Sequence, residues 1–153
     1  PQAANVQSTL RQAVGQRLVH IGRVRASGTI VFQREKAGNL YIVIAHGQGE
    51  IDGIEGYFLD RKAVALDGSG FITADQYQYD HAPAVKILTR RGVIPETAYT
   101  ELTAIWPEWD ANHRLDGIWS SLLICNGVPA QAVSAAAPTA SGPGRARAAA
   151  VSR

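Results

Sequence analysis

Residues 18–66, LVHIGRVRASGTIVFQREKAGNLYIVIAHGQGEIDGIEGYFLDRKAVAL, decide the fold class. Leu40, Ile42 and Ile44 alternate with Tyr41, Val43 and Ala45, so both faces of this run are apolar. A short run of that kind, bounded by Gly38-Asn39 and Gly47, predicts a strand buried on both sides. Thr29-Ile30-Val31-Phe32-Gln33 predicts a second strand, entered through the turn signal Ser27-Gly28. Ile51, Ile54, Tyr57, Phe58 and Leu59 predict a third, broken by Gly53 and Gly56, where a bulge or a close backbone approach is expected. Turn signals recur roughly every 8 to 12 residues, which favours antiparallel meander pairing over βαβ crossovers.

The rest of the composition bounds the molecule. At 153 residues, with 46% hydrophobic and 18% charged residues, the chain has room for one core. No apolar run approaches the length of a membrane span, and residues 1–16 lack the apolar centre of a signal peptide. Cys125 is the single cysteine, so the fold does not depend on an internal disulfide. Methionine is absent, even at position 1, as expected of a segment from a longer reading frame or of a processed chain. The formal charge of +2 is unevenly spread. Residues 1–125 carry 12 Lys/Arg and 13 Asp/Glu, while Arg145, Arg147 and Arg153 stand in a tail without acids. A nucleic-acid surface needs clustered basic residues with aromatics between them, and no such cluster exists.

Val6, Leu10 and Val14 form a weak stripe in the first 16 residues, read as an extended docking arm. Asp67-Gly68-Ser69-Gly70 predicts a hairpin turn, since a calcium loop needs several alternating oxygen ligands and a closing Glu. Residues 71–84 read as a loop, and Val85–Arg90 as a strand. Pro95-Glu96-Thr97 suits the first turn of a helix that places Ala98, Leu102, Ile105 and Trp106 on one face and stops at Pro107. Leu115, Ile118, Trp119, Leu122, Leu123 and Ile124 predict a last buried strand, punctuated by Gly117 and Asn126-Gly127. Residues 130–153 are mostly Ala, Ser, Gly, Pro and Arg without an aromatic, a composition expected to be disordered.

Candidate chemistry is sparse. His20, His46, His81 and His113 lack zinc-ligand spacing. Glu50, Asp52 and Glu55 are near enough in sequence to act as a glycosidase pair or to bind a cation. The simpler reading makes them the wet face of a strand. Gly47, Gly49 and Gly53 do not have the spacing of a phosphate loop, and Ser69 lacks the elbow of a nucleophilic serine. Cys125 reads as a small buried residue rather than a nucleophile.

A collinear resemblance covers residues 7 to 128. Gln7-Ser8-Thr9-Leu10-Arg11-Gln12 and His20-Ile21-Gly22-Arg23-Val24-Arg25-Ala26-Ser27-Gly28 resemble the "RQ…YGRVRVSG" opening of tailed-phage tail-tip proteins, the host-specificity or tip attachment family. Leu40–Ala45 and Gly49–Glu55 resemble its "LYLVVALGEGEIDGIE" segment, and Phe58-Leu59-Asp60 its "FLDD". Trp109–Ile118 resembles "W…AHRLRGIA". His20 stands where that family usually has Tyr, and the Ala-rich tail replaces a much longer chain. The resemblance implies a structural hub protein of the virion tail, made in the bacterial cytoplasm. It implies no catalytic residue, no cofactor and no metal. It further implies a homotrimer in contact with the tail tube, distal tail and tape-measure proteins, and a bacterial receptor reached by the full-length protein.

The expected architecture is therefore mainly β: an extended arm at 1–17, a barrel-like hub domain over 18–128, and a disordered tail from 129. A small α/β insertion is expected at about 67–117. Two rival functions stand beside tail assembly. One is a sugar- or receptor-binding module stacking Tyr41, Tyr77, Tyr79, Trp106 and Trp109 on a ligand. The other is a cell-wall glycosidase using Glu50, Asp52 or Glu55.

Overall fold

The computed structural model describes residues 17–127 and 148–152. In chain order the elements are β1 (Val24–Ala26), β2 (Thr29–Lys36), β3 (Asn39–Gln48), β4 (Ile54–Leu59), β5 (Lys62–Val64), β6 (Gln78–Tyr79) and β7 (Ala82–Pro83). They are followed by β8 (Val85–Arg90), α1 (Thr100–Thr103), β9 (Ile118–Cys125) and β10 (Ala148–Ser152). The chain is mainly β. One antiparallel sheet has the order β2-β3-β9-β8 and a second the order β1-β10-β4-β5, with β6 and β7 forming a separate hairpin.

The two-faced run occupies the centre of the first sheet. Ile42 lies opposite Leu123 in β9, which in turn lies opposite Ile87 in β8. These residues and Ile44 of β3 face a core that also takes Leu59, Val64 and Ile72 from the second sheet and the segments near it. The intervening residues Tyr41 and Val43 point the other way, with Leu122 and Ile124, into a second core closed by Tyr99, Leu102 and Trp106. The 2.0-residue side-chain period of a strand thus feeds two cores from one stretch of sequence. Val43, Leu122 and Leu102 are wholly excluded from solvent.

The sheets are joined on one side. Ile87 N–H donates to the Gly70 carbonyl and Ile72 N–H to the Val85 carbonyl, while Thr73 N–H donates to Ala65. These bonds run from β8 through residues 70–73 to the end of β5. On the other side β1 and β2 follow each other in sequence but are not paired, so among the described residues no ladder closes a barrel.

Four strands match their sequence expectation closely: β2, β3, β8 and β9. The Asp67 turn also forms, with the Asp67 carboxylate accepting from the Ser69 and Phe71 backbone N–H groups. Residues 71–84 contain more order than a loop, namely a 3-10 turn at Asp75–Tyr77 and the β6–β7 hairpin.

Other expectations are corrected. The third strand begins at Ile54, not Ile51, and residues 50–52 lead into it without being part of it. The helix expected from Pro95 to Trp106 has only the α-helical turn Thr100–Thr103. The reason lies in β8. Arg90 donates from its guanidinium to the carbonyls of Thr97 and Ala98, which the first turn of the longer helix would have used. Asp116 meanwhile accepts from Glu96 N–H. Of the tail expected to be disordered, residues 148–152 form β10 between β1 and β4. The arm at 1–16 and residues 128–147 lie outside the described residues.

Candidate functional site

The carboxylates singled out in the sequence do not make a catalytic pair. Glu50 is half-exposed and accepts from Arg91 at 2.7 Å. Glu55 forms an ion pair with Arg23 at 2.6 Å. Asp52 is exposed. Exposed pairs of this kind contribute little to stability, roughly 0–1 kcal/mol, and each Glu is turned to an arginine and not to the other carboxylate. Among the described residues no group of three or more His, Cys, Asp or Glu side chains could hold a metal ion.

The aromatic candidates are likewise dispersed or buried. Tyr41 and Trp106 meet edge-to-face at 4.9 Å inside the second core, and Phe32 packs edge-on against both Trp106 and Trp109. Tyr77 donates its hydroxyl to the Leu59 carbonyl, and Tyr79 stands exposed beside Gly127. A stacking platform requires ring faces open to solvent on one surface. These five rings do not share one.

What the fold does bring together is a polar-aromatic junction at the end of the two central strands. Here the apolar rows of β3 and β9 give way to His46, Ser120 and Ser121, all buried. On one face Ser121 Oγ and His46 Nε2 are 2.9 Å apart. On the other, the hydroxyls of Ser120 and Tyr99 are 2.9 Å apart. The sheet needs these bonds, because a buried hydroxyl or imidazole without a partner costs about 1–3 kcal/mol. Burial pushes the Tyr99 hydroxyl upward in pKa.

Trp119 is fully buried between two histidines. His46 stacks on it with ring centroids 4.4 Å apart, and His20 meets it edge-on at 5.6 Å. His20 reaches this place because the Leu18 carbonyl accepts from Gln48 N–H at 2.6 Å, which lays residues 18–20 along the end of β3. Gly47 makes room for the contact. A Cβ there would sit 2.5 Å from His20 Nδ1 and 2.8 Å from Trp119 Nε1.

Burial holds the His46 pKa down at about 4, with a smaller push from the neighbouring His20, although the Ser27 backbone favours its charged form. Burial also lowers the His20 pKa. His46 Nδ1, His20 Nδ1 and Trp119 Nε1 are buried without a hydrogen-bond partner. The His46–Ser121 pair is not equipped as a nucleophilic dyad. Both residues are excluded from solvent, the imidazole is a weak base near neutral pH, and no carboxylate orients its second nitrogen.

Sequence reasoning missed this grouping, since the four histidines are scattered along the chain. The available signal was His46 itself, a polar residue continuing the apolar Ile42 and Ile44 row. His81 lies exposed in the β6–β7 turn, and His113 is exposed with its Nδ1 2.9 Å from Asp110. Cys125 is largely buried, which pushes its thiol up to about 11 and away from the reactive thiolate.

A second buried polar group supports this end of the sheet. Glu96 accepts from the backbone N–H groups of Gly92, Val93 and Thr97 at 2.9–3.3 Å. It ties the 91–97 connection, and with it Gly92, against the Trp119 backbone. Leu18, Val19 and Ile21 remain exposed at the outer rim, at 48, 67 and 88%.

No helix among the described residues is long and apolar enough to cross a membrane. Compared with family models, with curated proteins and with solved structures, the chain finds no match.

Proposed function

We propose that this chain is an assembly module of a bacteriophage or prophage tail tip, working by surface pairing and not by catalysis. The observation that carries the reading is the exposure of Leu18, Val19 and Ile21, three large apolar residues within four positions. Contiguous apolar exposure marks interaction surfaces. The outer edge of β2, unpaired among the described residues, offers backbone groups to a neighbouring chain in the same way. The sequence resemblance supplies the setting: a homotrimeric hub, contacts with other tail proteins, and host attachment through the full-length protein. The pairing of Glu50 and Glu55 with arginines speaks against the glycosidase, and the burial of Tyr41 and Trp106 against a stacking module.

Light scattering on the purified chain tests the reading. A trimer is expected, and a Val19→Asp, Ile21→Asp variant should dissociate with its β-sheet circular dichroism unchanged. A monomeric parent, or a variant that remains trimeric, would overturn the assignment of this surface. In parallel, bacterial cell walls incubated with the parent should release no fragments. Release that disappears in a Glu50→Gln, Asp52→Asn variant would replace assembly with hydrolysis.

A further inference from the structure

We infer that His20, Trp119 and His46 form an acid-released clasp, which holds residues 18–20 on the end of β3 near neutral pH and lets them go on acidification. The contacts it rests on lie within one chain, and its segment borders the surface proposed above for pairing.

The clasp rests on where protons sit. His20 Nδ1 and Trp119 Nε1 both lie against Gly47, and both are buried without a hydrogen-bond partner. An indole nitrogen only donates. A neutral imidazole with its proton on Nε2 leaves only a lone pair at Nδ1, beside that donor. A charged imidazole presents N–H at both positions. Protonation therefore adds a second buried N–H without an acceptor beside the indole donor.

His46 stacks on the same indole and is buried. Its surroundings are the Ser121 hydroxyl and Trp119 from β9, the Ser27 backbone between β1 and β2, and His20 from the clasped segment. Among the described residues, His20 is the only ionisable side chain acting on it, and it is a like charge once both are protonated. The Arg91–Glu50 ion pair is self-compensated at the surface. Charging His20 thus weakens its own contact and raises the cost of charging His46. Lifting residues 18–20 relieves both.

The segment itself is lightly held. Its described backbone tie to β3 is Gln48 N–H to the Leu18 carbonyl, and its apolar side chains Leu18 and Val19 already face solvent. Release costs little burial of Leu18 or Val19, and it removes the cover that His20 gives Trp119 at the end of the central strand.

Amide hydrogen exchange on the full chain, followed by NMR, reads the clasp through Gln48. Its protection factor should fall at least about tenfold between about pH 7 and about pH 4, the scale set by a histidine that titrates more easily when the segment is lifted. The Leu123 amide, deep in β9, should keep its protection. In a His20→Phe variant, which retains an edge-on ring without a titrating group, most of the Gln48 change should vanish. In the parent, the midpoint of the Gln48 change should coincide with the titration of the His20 ring carbon, so the comparison stands even if the variant fails to fold. Undiminished Gln48 protection with His20 charged would overturn the clasp. So would a parent-like response in a folded His20→Phe, or simultaneous loss of Leu123 protection.

Discussion

Ile44 shows how much one residue on the central strand carries. It is 3% exposed and shares a core with Leu59 and Leu123, so Ile44→Ala removes buried methylenes where β9 and the second sheet hold the cavity open. The expected loss is about 2–5 kcal/mol, read from the urea midpoint at unchanged slope. A change below about 0.5 kcal/mol, as at ordinary surface sites, would contradict its burial. Glu96 should matter as much for a different reason. Glu96→Ala would leave the Gly92, Val93 and Thr97 N–H groups without their acceptor; the Gly92 donor is buried, and a buried donor left unsatisfied costs about 1–3 kcal/mol. Glu96→Gln keeps oxygen on one arm only and should fall between the parent and Glu96→Ala in the same unfolding experiment.

Among the elements, the hairpins reveal where the backbone is strained. Ala37-Gly38 joins β2 to β3 and Asp60-Arg61 joins β4 to β5, with positive φ at all four residues. This left-handed pair matches the twist of the flanking strands, and Asn-Gly suits it best. An alanine there is disfavoured by roughly 1–2 kcal/mol. Ala37→Asn should therefore raise stability by about 0.5–1 kcal/mol, provided Gly38 keeps its N–H bond to the Glu35 carboxylate at 2.7 Å. A fall in the melting temperature would show that Ala37 is selected for something other than its conformation. Elements whose evidence is local were legible from sequence: β3 and β9 by apolar residues on both faces, β8 by its Val-x-Ile run, the Asp67 turn by its chemistry. The longer helix after Pro95 was misread because Arg90, on a strand, captures the carbonyls that would have started it. The His20–Trp119–His46 junction was illegible for a related reason. It depends on register between β3, β9 and residues 18–20, which no spacing within one segment encodes.

At the scale of the whole molecule, burial of a neutral histidine makes stability depend on pH. His46 is held at about 4 when folded and titrates near its ordinary value when the chain unfolds. The unfolded state therefore binds the extra proton between those two values. Stability is complete above about pH 6.5 and declines as the pH falls toward about 4. Between about pH 7 and about pH 5 the loss should be roughly 2 kcal/mol from this residue. Urea unfolding at the two pH values measures it, and a folded His46→Gln variant should show a flatter dependence. An unchanged midpoint in the parent would mean that His46 is hydrated in solution. The central pairing has one more consequence, during synthesis. β3 gains β2 at once, but its other neighbour, β9, is made some seventy residues later. Until then Leu40-Tyr41-Ile42-Val43-Ile44-Ala45 leaves the ribosome as an uncharged, strand-prone hexamer with one bare edge and two uncovered faces, the composition that seeds cross-β stacking. Truncation before residue 118 should accordingly yield chaperone-bound or insoluble product in place of a smaller folded protein.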